Sequence, residues 1–190
     1  MLFLALFVAC VGHADPPEEP GMLATGVALE LADGREISAA IAQVAPGGDG
    51  VARDVVAKDG ALEIEAPHTE WDLRSRTAVL SGGVTARRGP VVLECTKMEV
   101  NFSSPGRVER ATALGAVRVR HGERSGRAER AVLTTVDGRI TLTGSPVLAD
   151  GANQMSGDRI VLHMDEDKVL CDGCRMTIAS DAVTPGAGSK

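Results

Sequence analysis

The sequence predicts an all-β fold made of stacked repeats. Apolar and polar residues alternate over short runs, for example at 117–119, 140–142 and 160–164. Gly, Asp and Pro interrupt these runs, and helical periodicity is scarce. A period of two places successive side chains on opposite faces of a strand, which is the pattern of a half-buried sheet. The segment 126–135 could form a short helix, and no helix longer than two turns is expected from about 60 to 178.

The strands recur in a fixed register. Apolar pairs followed by a glycine occur at Gly82, Gly115, Gly144 and Gly173, and a small residue follows three of these glycines after 13 positions. The same spacing separates Gly26 from Ala39. Positions +3, +5 and +7 from the small residue are apolar in two repeats and hold Thr69, Trp71 and Leu73 in an earlier one. Stacked repeats of this kind bury a continuous apolar stripe, and glycines suit the corners at which strands bend.

The N-terminus has the features of an export signal. The uncharged apolar run at 2–9 is too short to span a bilayer as a helix, and small residues precede Asp15, so 1–14 is predicted to be a signal peptide. The alternative is an imperfect lipobox at 7–10, which would make Cys10 the lipidated first residue of a membrane-anchored lipoprotein. Both interpretations place the mature protein outside the cytoplasm.

Four segments follow this signal. We expect a linker at 15–25, a diverged N-terminal β repeat at 26–60, the main β unit at 61–178 and a disordered tail at 179–190. Charge is uneven along them: residues 15–72 carry −10, residues 73–130 carry +7 and residues 131–190 carry −3. This distribution suits end-to-end association or an anionic ligand, or it is an ordinary solvated surface.

Composition excludes several function classes. The chain has three Phe, one Trp and no Tyr, which argues against sugar platforms and base stacking, and its net charge of −6 argues against nucleic-acid binding. No catalytic or phosphate-loop motif occurs, so the chain is not expected to be an enzyme or to need a cofactor or metal. Cys171 and Cys174 form a C-x-x-C between two strand-like segments, which indicates a structural disulfide or plain thiols ahead of a metal or redox site.

The repeat resembles the OstA-like family of periplasmic lipopolysaccharide-transport proteins. The resemblance is carried by LEIEA at 62–66, WDLRSRTAVLSGGVTARRGPVVLECTKMEVNF at 71–102, ALGAVRVR at 113–120, ITLTGSPVLADG at 140–151 and MSGDRIVLHMDEDKVLCDG at 155–173. It implies an open, twisted β-jellyroll of stacked V-shaped strands. It also implies a periplasmic carrier that holds lipid A acyl chains in its apolar interior and passes lipopolysaccharide from the inner to the outer membrane. The A-type members fit better than the C-type, because no membrane helix follows the signal.

The resemblance also implies partners and site residues. The partners are lipopolysaccharide or a related lipid, the envelope transport proteins of both membranes, and further copies of the chain stacked head to tail. The residues expected to line the lipid site are Trp71, Leu73, Leu80, Leu93, Met98, Val100, Phe102, Val117, Val119, Leu133, Ile140, Leu142, Ile160, Leu162 and Met164. Arg118 and Arg120, which alternate with the two valines and so face outward with Thr141 and His163, are the candidate phosphate contacts.

Two other functions remain open on the sequence. A structural or scaffolding β-solenoid of the cell envelope would have a closed core and bind protein partners only. A redox or metal enzyme would use Cys171 and Cys174. Retention of lipid by the purified protein distinguishes a carrier from a scaffold.

Overall fold

Fourteen β-strands hold most of the residues that the computed structural model describes, which are 21–30, 35–59, 62–104, 107–163, 166 and 168–178. The strands are β1 (Met22–Glu30), β2 (Glu36–Val44), β3 (Gly50–Asp59), β4 (Leu62–Asp72), β5 (Thr77–Arg88), β6 (Val91–Ser104), β7 (Arg107–His121), β8 (Arg124–Thr134), β9 (Arg139–Thr143), β10 (Val147–Asp150), β11 (Asn153–Ser156), β12 (Arg159–His163), β13 (Lys168–Asp172) and β14 (Arg175–Thr177). The all-β prediction is therefore confirmed. Within these ranges, no helix has the length and apolar character needed to cross a membrane.

All the strands belong to one antiparallel sheet that branches after β8. From β1 to β8 each strand pairs with its neighbours in sequence. The two halves of β8 then pair with different strands, one with β9 and the other with β10. We call the half of the sheet that continues into β9, β12 and β13 the first limb, and the half that continues into β10, β11 and β14 the second limb. Each of the strands β1–β8 contributes one of its ends to each limb.

A line of corners separates the two limbs. Each pair of neighbouring strands from β4 to β8 has a register shift on this line. Residues with positive φ mark it at Gly26, Asp54, Gly82, Gly83, Gly115, Ala116, Gly144, Ser145 and Gly173. The glycines singled out by the repeat therefore lie at the bends. Glycine suits these positions because positive φ costs it little, and at Gly115 an added Cβ would also lie only 3.1 Å from the hydroxyl of Thr96.

The apolar side chains of both limbs face each other inside the V. Towards the C-terminal end they pack closely, and Leu142 and Ile160 have no exposed surface. Gly126 of the second limb contributes to this closure, because a Cβ at that position would lie 3.2 Å from Leu142 Cδ1 of the first limb. The sequence alternation thus produces a two-layered β core in which one sheet, bent along the corner line, supplies both layers.

The structure changes two expectations about local structure. The segment 126–135 is not a helix, because most of it is part of β8 and pairs with β7 on one side and with β9 and β10 on the other. β1 begins at Met22, inside the segment expected to be a linker, and pairs with β2 over most of its length. The predicted signal peptide, the lipobox cysteine Cys10, the C-terminal tail and Met164 lie outside the described residues.

Candidate functional site

An apolar cleft opens between the two limbs at the N-terminal end of the sheet. It has a volume of about 180 Å³, and its walls come from both limbs. Ile37, Ala57 and Ile64 line it from the second limb, and Trp71 and Phe102 line it from the first. Most of its lining side chains are aliphatic, so the cleft offers an interior suited to a flexible apolar ligand rather than to a polar reaction.

Residue size explains why the cleft is open only at this end. One row of inward residues runs beside the corner line on the first limb: Ala42, Ala52, Thr69, Leu80, Met98, Ala113, Ala131, Leu142 and Ile160. We call it the inner row. Its N-terminal members are small and line the cleft, whereas Leu142 and Ile160 at its other end fill the space between the limbs. Small residues at the N-terminal end of the row and bulky ones at its C-terminal end therefore divide the interior into an open part and a closed part, although Ala113 and Ala131 between them are small.

Trp71 forms part of the cleft wall and is held by the β2–β3 turn. Its indole N–H donates a 2.8 Å hydrogen bond to the carbonyl oxygen of Gly48. The backbone N–H of Leu73 donates a hydrogen bond of the same length to a carboxylate oxygen of Asp49. Gly50 lies against the indole, and a side chain there would collide with the ring. The turn and the end of β4 thus form one packed unit that fixes the ring at the cleft.

The rim of the cleft carries mixed charge. Arg35 and Lys58 line it on the second-limb side. The Lys58 ammonium lies 3.9 Å from a carboxylate oxygen of Glu36 and 3.9 Å from one of Glu63, and all three side chains are substantially exposed. Exposed pairs of this kind contribute little to stability, so these ion pairs are not essential to the fold.

Thr69 is the polar member of the inner row. It lines the cleft, is 8% exposed and places its hydroxyl out of contact with water. Among the described residues, its Oγ1 is the one buried side-chain nitrogen or oxygen atom that has no hydrogen-bond partner. The sequence prediction did not include this residue. The available signal was a polar residue at the +3 register position, where other repeats hold Met98 and Ile160.

The residues predicted to line the lipid site all lie in the apolar interior wherever the structure describes them. Those that line the cleft are Trp71, Leu80, Val100 and Phe102. Those buried in the core without lining the cleft are Leu93, Met98, Val117, Val119, Ile140, Leu142 and Ile160. Those packed against the core while partly exposed are Leu73, Leu133 and Leu162. Contact of any of them with lipid stays a prediction.

Of the four residues predicted to face outward, two have the expected exposure, whereas Thr141 and His163 are half-buried. Arg118 and Arg120 are exposed, and Arg120 pairs with Glu94 at 3.1 Å on the outer surface. A phosphate bound by these arginines would therefore lie outside the cleft. His163 is half-buried at the end of β12 and, with Leu162, lines a small pocket of about 30 Å³ at the far end of the sheet. Its position at the strand end allows both neighbours to face the same space.

The three cysteines that the structure describes are a disulfide pair and a buried thiol. A disulfide joins Cys171 in β13 to Cys174, across the corner that leads to β14. Cys95 is a buried free thiol, and its burial raises its pKa to about 11. In the part of the chain that the structure describes, no three His, Cys, Asp or Glu side chains come together as a metal site would require.

Comparison with known proteins identifies relatives at the level of family and fold. The model of a family described as "LptA/(LptD N-terminal domain) LPS transport protein" matches residues 63–168, which is more than half of the chain. Among solved structures, the chain is similar to LptH from Pseudomonas aeruginosa, described as the LptA-homologous periplasmic component of the lipopolysaccharide transport device. The TM-score is 0.57 and the identity 15%, over 63% of this chain and 95% of that one. No curated protein sequence matches the chain.

Proposed function

Since this chain belongs to the LptA/(LptD N-terminal domain) family of lipopolysaccharide transport proteins, we propose that it carries lipopolysaccharide or a closely related lipid with acyl chains in the N-terminal cleft. The family consists of non-enzymatic transport proteins, and the matched residues 63–168 extend from β4 to β13. The proposal adds the ligand contact, the location of that contact and the direction of movement to this family membership.

The observation that carries the proposal is the open apolar cleft. Its walls combine small alanines with Trp71 and Phe102, and it opens to solvent beside a charged rim. Transfer of one methylene group from water to such a site is worth about 0.8 kcal/mol, so even part of an acyl chain would bind usefully. The charged remainder of the ligand stays in water at the rim, where Arg35 and Lys58 lie.

We further propose that the chain works in the periplasm, where it receives lipid from inner-membrane components and delivers it towards the outer membrane. The similarity of its fold to LptH, which is described as a periplasmic component, supports this location. The interior supports it as well, because an amphiphile crossing an aqueous compartment needs a surface that covers its apolar part.

The exposed sheet edges support head-to-tail stacking of copies. Among the described strands, β1 has one partner, and at the opposite end β13 and β14 each have one. Unpaired edges recruit further strands, so one copy's β1 would pair with the next copy's C-terminal edge. Charge does not drive this contact, because residues 15–72 and 131–190 are both net negative, at −10 and −3. Backbone pairing would therefore have to supply the attraction between the ends.

Site-specific photo-crosslinking in cells tests the carrier function. A benzoylphenylalanine at Phe102, which lines the cleft, is expected to capture lipid, and the same residue at the exposed neighbour Asn101 is not. The pair is matched because adjacent residues of β6 face opposite sides of the sheet. Equal labelling at both positions would contradict the inside-outside assignment. Absence of labelling at Phe102 in folded protein would favour a scaffold that binds protein partners only.

A further inference from the structure

We propose that Thr69 is a polar subsite inside the cleft, which binds a neutral oxygen-bearing group, a hydroxyl or a carbonyl, on the apolar chain of the ligand. The inference rests on the proposed function, because it assumes that an acyl chain occupies the cleft. It adds a preference to that function: among chains of equal length, the cleft selects those that carry a polar oxygen along the chain.

The position of Thr69 separates it from the charged rim. In the ladder it pairs with Ala52 on one side and Leu80 on the other, and all three lie in the inner row beside the corner line. Trp71 lies two residues further along β4 and faces the same cleft. A ligand that reaches Thr69 has therefore passed its apolar chain between the walls to the floor of the V.

The state of its hydroxyl indicates a missing partner. Thr69 is 8% exposed, and its Oγ1 is shielded from water without a hydrogen bond to any described residue. A buried hydroxyl that has lost its water and gained no partner destabilises the folded protein, and Val has nearly the same shape without this cost. The ligand-free protein would thus be more stable with valine at position 69, whereas a ligand oxygen would supply the missing hydrogen-bond partner.

The surroundings define the chemistry of that partner. The cleft floor consists of Ala42, Ala52 and Leu80, so a carboxylate or phosphate brought there would lose its hydration without compensation. A neutral hydroxyl, ester or amide oxygen carries a much smaller desolvation cost and can accept a hydrogen bond from the Thr69 hydroxyl. Threonine has more than one staggered χ1 well, so a side-chain rotation is enough to present its hydroxyl to the chain.

Fluorescence titration of purified protein tests the proposal. Trp71 is the single tryptophan of the chain and lines the same cleft, so its emission reports occupancy directly. The probes are tetradecanoate and a set of monohydroxylated tetradecanoates that differ in the position of the hydroxyl. The variants are Thr69→Val, the conservative Thr69→Ser, and Thr112→Val, which removes a buried hydroxyl from the opposite face of the sheet.

At least one hydroxylated probe should bind the unchanged protein roughly threefold to tenfold more tightly than tetradecanoate. Thr69→Val should abolish this preference while still binding tetradecanoate, and its thermal midpoint should rise. Thr69→Ser and Thr112→Val should keep the preference. Equal affinity for every probe in the unchanged protein, or a preference that survives Thr69→Val, would overturn the proposal and leave the carrier function standing. No response to any probe would overturn both.

Discussion

The indole nitrogen of Trp71 and the carbonyl oxygen of Gly48 are 2.8 Å apart, although the two residues are 23 positions apart in the chain. This hydrogen bond ties the β2–β3 turn to the cleft wall. It also satisfies the one polar atom of a ring that otherwise contributes apolar surface. The large aromatic side chain is therefore held in one orientation at the edge of a space made mainly by small residues.

Trp71→Phe should lower the free energy of unfolding by about 1–3 kcal/mol, because the Gly48 carbonyl loses its hydrogen-bond donor and the smaller ring leaves unfilled space. The measurement is urea unfolding followed by far-UV circular dichroism, since the variant has no tryptophan. Val136→Ala, in an 83% exposed position, serves as a control and should change stability by less than about 0.5 kcal/mol. An unaffected Trp71→Phe variant would show that the turn does not depend on this contact.

The same substitution at two alanines of the inner row should affect lipid capture at one position and stability at the other. Ala52→Leu fills free space in the cleft and should reduce lipid capture while costing less than about 1 kcal/mol of stability. Ala131→Leu overpacks the closed part, where Ala131 is 1% exposed, and should cost about 1–3 kcal/mol. Lipid retention by mass spectrometry and urea unfolding measure the two effects. Undiminished lipid capture by a folded Ala52→Leu variant would place the ligand elsewhere.

Stability should fall with rising pH in alkaline solution because of Cys95. Burial raises the pKa of this thiol from an ordinary 9.0 to about 11, so the unfolded chain releases the proton at a lower pH than the folded one. Its contribution is complete below pH 9 and is lost as the pH rises through 11. Between pH 8 and 10 the unchanged protein should lose about 1 kcal/mol more than Cys95→Ala does. Parallel pH profiles of the two proteins would contradict this assignment.

Negative charge on the C-terminal edge should prevent stacking, because residues 15–72, which supply β1 of the next copy, already carry −10. Leu170 in β13 and Met176 in β14 are 47% and 56% exposed, and the variant Leu170→Glu with Met176→Glu should remain monomeric at concentrations at which the unchanged protein forms oligomers. Light scattering over a concentration series gives the readout. Val136→Glu adds the same kind of charge at the β8–β9 turn and should leave association intact. Oligomers that persist in the double variant would exclude this edge as the interface.

The strand pattern and the corners could be predicted from the sequence because both are local. Alternation fixes which residues face inward, and the left-handed backbone at Gly82 and Gly115 favours glycine whatever surrounds it. The sequence left 126–135 open, because its local composition allowed a short helix, and the structure shows a strand there. There, Gly126 and Ala128 serve the packing of two limbs, and pairing of β8 with strands on both sides overrides local preference.

The division into open and closed parts could not be predicted, because it depends on side chains that meet across the V from distant positions. Leu142 closes the interior because it packs over Gly126, and no periodicity in either segment reports that contact. Thr69 was missed for a related reason. Its place in the repeat register marks it as inward, but the absence of a partner for its hydroxyl is a property of the assembled cleft.

The regular spacing of the left-handed corners determines the steps in which the length of the molecule can change. Successive corners at Gly26, Asp54, Gly82, Gly115, Gly144 and Gly173 are separated by 28, 28, 33, 29 and 29 residues. A chain of this design grows or shrinks in whole modules: excision of residues 116–144 joins Gly115 directly to Ser145 and restores a left-handed pair at the junction. Excision of half that length would exchange the two limbs instead. The distance that such a protein spans can therefore change only by whole repeats.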